Sequence, residues 1–116
     1  MPLAATALVL VGPAGGSVKT PSRVQVLARE YSFALSRTTV REGNAIVELA
    51  NFGQDPHDLH VEPLGRNGKP GAINPVPAGQ QGELLIRLKP GRYQLYCSLA
   101  DHRALGMNAV LVVKSR

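Results

Sequence analysis

The chain has 116 residues and a mass of 12.3 kDa, room for one compact domain with one principal site but not for two domains of ordinary size. Apolar residues make up 44% and charged residues 18%, with twelve glycines and nine prolines, a balance that excludes a largely disordered chain and implies many turns. Thirteen Lys and Arg against eight Asp and Glu leave a net charge of +5, but the basic residues are scattered without the block of a nucleic-acid arm, and no apolar run reaches the roughly 18 residues of a membrane-spanning helix.

Residues 1–20 are apolar from Leu3 to Val11 and then rich in small residues. They have the apolar part and tail of a secretion signal without its positive start, so a leader left from export and a short edge strand or flexible segment stand as equal readings. On either reading the functional domain is 21–116.

From Arg23 onward the apolar residues recur with a period of two, the spacing that places successive side chains on opposite faces of a strand. Val24, Val26 and Ala28 share one face, followed by Tyr31, Phe33 and Leu35, then Val47 and Leu49. His57, Leu59 and Val61 form another such face, and Leu84, Ile86 and Leu88 and then Tyr93, Leu95 and Cys97 follow. The run Ala109 to Val113 is apolar throughout, as in a strand covered on both sides. Turn signals separate these runs at Glu42-Gly43-Asn44, Asn51-Phe52-Gly53, Gly65 to Gly71, Pro77-Ala78-Gly79 and Lys89-Pro90-Gly91. Short strands with turns about every ten residues predict an all-β, Greek-key β-sandwich of about seven to eight strands. Ala100 to Met107 reads as a turn or a single turn of helix.

Chemistry concentrates near the end of the chain. Cys97, the only cysteine, excludes an internal disulfide and any multi-thiolate centre. Cys97, His102 and Met107 stand five residues apart, on a connection that leaves one strand and enters the last. Such a loop can turn three side chains toward one point. With a second histidine, the set of two imidazoles, one thiolate and one thioether is that of a mononuclear blue-copper centre, with a trigonal His₂Cys plane and a weak axial Met. His57 and His60 compete for the fourth place. Parity favours His57, which shares a face with Leu59 and Val61, whereas His60 shares the opposite face with Asp58 and reads as a surface residue or a local hydrogen-bond partner. Four of the eight acids, Asp55, Asp58, Glu62 and Asp101, lie near these histidines, so the net charge says little about the site.

Residues 22–114 resemble a cupredoxin, a small single-domain blue-copper protein of plastocyanin or azurin type. Pro56-His57-Asp58-Leu59-His60-Val61 is similar to the family's first-ligand segment, and Gly91 to Met107 is similar to its Y-x-Y-x-C, H, M segment, with loop spacing like that of rusticyanin. The sequence departs from the pattern in three places. Asp58 stands where the family usually has Asn, Asp101 where a glycine often precedes the second histidine, and Asn108-Ala109 where a residue-Gly pair is more usual. A carboxylate at position 58 accepts from the Ser98 hydroxyl or loop amides but cannot donate, and it adds negative charge near the metal.

The resemblance implies one copper ion per chain, held by His57, Cys97, His102 and Met107 and cycling between Cu(II) and Cu(I). It implies a monomeric electron carrier rather than an enzyme, with redox donor and acceptor proteins docking transiently near His102 and a periplasmic or extracellular location. The exit is expected at an exposed edge of His102, ringed by Leu99, Ala100, Ala104, Leu105 and Pro56, residues that otherwise simply pack the loop. A protein that delivers copper without redox cycling is the competing function.

Overall fold

A computed structural model describes residues 20–116, so the expected leader lies outside the described residues. Nine strands appear among them: β1 (Ser22–Arg29), β2 (Ser32–Leu35), β3 (Thr39–Arg41), β4 (Gly43–Asn51), β5 (His57–Pro63), β6 (Gly71–Val76), β7 (Gln81–Leu88), β8 (Gly91–Tyr96) and β9 (Asn108–Lys114). One helical turn, α1 (His102–Leu105), interrupts them, the second of the two readings offered for this stretch.

The strands form two sheets, one in the order β2-β1-β4-β7 and the other β3-β9-β8-β5-β6. This is the all-β sandwich that the alternation predicts. The count exceeds expectation because β3 has only three residues, too few to show a period, and β6 contains Asn74 and Pro75, poor strand formers. Pro75 is tolerated because β6 lies at a sheet edge.

Most inward faces are those the alternation marks, but Tyr31 is exposed and Phe33, Leu35, Leu84 and Ile86 are only partly buried. Val24, Val26 and Ala28 of β1 and Ala45, Val47 and Leu49 of β4 meet Leu59, Val61, Tyr93, Leu95 and Leu111 of the other sheet in one buried cluster. Tyr93 anchors the start of β8: its ring is buried, while its hydroxyl accepts from the Lys89 N–H at 3.0 Å and donates to the Lys89 carbonyl at 3.2 Å. That pinning of a turn by a buried tyrosine is a familiar device of β-sandwiches.

Two pairings place the site. β1 runs parallel to β4 with Ala28 opposite Asn51, and this brings the turn at residues 30–31 beside the loop that follows β4. β8 pairs antiparallel with both β5 and β9, so the start of β5, the end of β8 and the start of β9 lie at the same pole.

Candidate metal centre

His57 reaches the pole through a loop organised by Asn51. This asparagine is buried, and its amide donates to the Asp55 carbonyl at 2.8 Å and to the Val76 carbonyl at 2.9 Å, while its Oδ1 accepts the Gly53 N–H at 2.8 Å. A bulge between His57 and Leu59 irregularly pairs the start of β5 with β6, yet His57, Leu59 and Val61 all remain buried.

The other side is one connection. Cys97 follows β8 directly, and its N–H donates to the Met107 carbonyl at 3.1 Å. The Met107 N–H in turn donates to the His102 carbonyl at 3.0 Å, and the His102 N–H to the Leu99 carbonyl at 3.0 Å. The loop thus closes on itself and carries His102 inward on the first residue of α1. Gly106 ends that turn with φ +136°, and a Cβ there would lie 2.6 Å from the Tyr31 carbonyl oxygen, so both the backbone conformation and the available space call for glycine.

His57, Cys97 and His102 come together, each offering one donor atom, with all three atoms within 4.8 Å of one another. His57 Nδ1 is 3.3 Å from His102 Nδ1, which is 3.5 Å from Cys97 Sγ. Metal–nitrogen bonds of about 2.0 Å and metal–sulfur bonds of about 2.3 Å at trigonal angles would separate donors by about 3.5 and 3.7 Å, close to what is found. His57 and Cys97 are fully buried and His102 nearly so. Burial pushes the Cys97 thiol up from its ordinary pKa, so a cation must displace a proton to meet a thiolate. Met107 is also fully buried and is tied through its backbone to both Cys97 and His102.

His60 stays outside this group. Its ring stacks on Tyr96 with centroids 5.1 Å apart, and its Nε2 lies 3.4 Å from an Asp58 oxygen. Asp58, which parity puts on the His60 side of the strand, is nonetheless buried. It accepts the Ser98 N–H at 2.7 Å and the Ser98 hydroxyl at 2.5 Å, the accepting role open to a carboxylate at this position. This ties β5 to the cysteine loop.

Two neighbours, Glu30 and Tyr31, escaped the sequence reading as parts of the site, and a third, Asp55, was noted only as an acid near the histidines. Glu30 Oε2 is 2.6 Å from His57 Nε2, and Glu30 Oε1 accepts the Gln54 N–H. Those two hydrogen bonds, the Gln54 amide first, hold the Glu30 carboxyl below its usual range. The Tyr31 ring lies 5.0 Å from the His102 ring, and its hydroxyl donates to Asp55 at 3.3 Å. An Asp55 oxygen is 3.8 Å from His102 Nε2, and the Asp55 charge raises the Tyr31 hydroxyl above its ordinary pKa. His102 is consequently only 7% exposed, which corrects the expectation of a bare histidine edge. Of the expected collar, Leu99 packs on the core, whereas Pro56, Ala100, Ala104 and Leu105 are exposed. The sequence signals for these neighbours are slight: Asp55 stands two residues before His57, and the Glu30-Tyr31 pair lies at the end of a strand and carries no chemistry by itself.

No protein-family model and no curated protein matches the sequence. Solved structures do match. Reduced auracyanin from Roseiflexus castenholzii is 14% identical with a TM-score of 0.66, over 83% of this chain and 99% of that one. Auracyanin A, a blue copper protein from Chloroflexus aurantiacus, is 13% identical with a TM-score of 0.66, over 82% of this chain and all of that one. A reduced amicyanin variant is 19% identical with a TM-score of 0.60, over 87% of this chain and 90% of that one. A multicopper oxidase matches at a TM-score of 0.59 and 20% identity, but over only 42% of its own length. At these identities the likeness establishes the fold, and the fold is that of the cupredoxins.

Proposed function

We propose that this protein is a one-electron carrier in which His57, Cys97, His102 and Met107 hold a single copper ion, with Met107 as the weak axial donor. The observation that carries this reading is the buried cluster of two imidazole nitrogens and one sulfur at separations suited to a shared ion. When bound, copper supplies a Cu(II)/Cu(I) couple that accepts or gives one electron with no substrate to transform.

The chain's own part is to hold the donors still. The two oxidation states of copper prefer different geometries, so ligands that move little reduce the reorganisation needed per electron. The loop bonds from Cys97 to Met107 and from Met107 to His102 supply that restraint, as does the Asp58 bridge to Ser98. A donor set of four fills the site, which favours a carrier over an enzyme with an open coordination position. Partners then dock transiently beside His102, where Tyr31 and Leu105 present 37% and 53% of their surfaces. The functional unit on this reading is a monomeric domain of residues 21–116 acting outside the cytoplasm, with residues 1–20 as a leader.

Adding Cu(II) to the metal-free protein tests the reading. An intense blue colour that reductant bleaches and oxidant restores is expected. A pale complex stripped readily by a chelator contradicts the carrier and points to copper delivery instead.

A further inference from the structure

His57 uses its two ring nitrogens differently. Nδ1 faces His102, and Nε2 faces the Glu30 carboxylate at 2.6 Å, a contact between residues 27 apart in sequence. A carboxylate can only accept, so Nε2 carries the proton and Nδ1 is left as a lone pair directed at the other donors. The bond is charge-assisted and short. Glu30 Oε1 is held by the Gln54 N–H. The carboxylate also fills the space beside Gly53, where a Cβ would collide with it. Gly53 has no left-handed φ, so its backbone does not itself require glycine; the close approach does.

We infer that Glu30 is a positioning residue of the metal centre: through His57 it fixes the tautomer that binds metal at Nδ1 and biases bound copper toward Cu(II). A carboxylate partner makes a ligating imidazole more basic, and a more electron-rich ligand favours the more highly charged ion. The fixed negative charge one ring away acts in the same direction. The tautomer part stands on the metal-free protein, and the copper part rests on the proposed carrier function.

Two variants of the full chain separate charge from placement. Glu30→Gln keeps an accepting oxygen and removes the charge. Gly53→Ala keeps the charge and evicts it from its seat at low backbone cost, because the colliding atoms are the end of a flexible side chain. In the metal-free parent, nitrogen-15 NMR is expected to show His57 protonated on Nε2. Redox titration is expected to move the Cu(II)/Cu(I) balance of Glu30→Gln about tenfold toward Cu(I), equivalent to about 59 mV for a one-electron couple. Gly53→Ala should move it in the same direction, with both variants still blue. A metal-free parent with His57 protonated on Nδ1 overturns the inference, as does a potential within twofold of the parent's balance in both variants. If the parent forms no blue site, the carrier reading falls and the tautomer measurement alone decides the role of Glu30.

Discussion

The metal pole has two unlike halves. One is a single connection from Cys97 to Met107 that brings two of the three clustered donors and closes through its own backbone hydrogen bonds. The other is assembled from separate stretches, the turn after β1 and the loop after β4, and it surrounds His57 and His102 with Glu30, Tyr31 and Asp55. The comparison teaches a division of labour. The contiguous half supplies Cys97 and His102 to the cluster, and the composite half sets the charge and exposure around His57 and His102. Asp58 joins the two by holding Ser98 from β5.

Variants in the contiguous half should therefore change the colour, and the largest effect is expected from Cys97→Ser. It removes the sulfur donor, and absorption spectroscopy should find no blue band although circular dichroism shows the sandwich retained. A blue variant would break the assignment. Asp58→Ala attacks the joint between the halves and leaves a Ser98 N–H and hydroxyl without their acceptor. Denaturant unfolding of the metal-free protein should show a loss of about 1–3 kcal/mol. An unchanged midpoint would mean that the halves are held together elsewhere. Met107→Leu should keep the copper and raise its potential, because a weak axial donor is lost. A lowered potential in voltammetry would remove Met107 from the ligand set. The smallest effect is expected from His60→Ala, which gives up a ring stack worth about 0.5–1.5 kcal/mol and leaves the colour intact. Loss of colour there would mean that His57 and His60 had been exchanged.

The same division explains what the sequence made legible. Cys97, His102 and Met107 are near neighbours in the chain, and residue type plus spacing was enough to single them out. His57 was reached by strand parity, which survived the local bulge because Leu59 and Val61 still hold the strand's inner face. Glu30 could not be reached in this way. Its approach to His57 depends on β1 running parallel to β4, a pairing that alternation does not encode. The covering of His102 by Tyr31 and Asp55 has the same origin, so the exposed edge expected from the loop alone was misplaced. β3 and β6 were missed for a simpler reason: one is too short for a period and the other is broken by Asn74 and Pro75.

The central claim is that three side chains from two distant stretches bind one ion. X-ray absorption at the copper edge of the loaded protein tests it most directly. The account predicts one strongly bound sulfur and two nitrogens as the nearest neighbours of a single copper. A spectrum with only nitrogen and oxygen neighbours, and no sulfur, would contradict it.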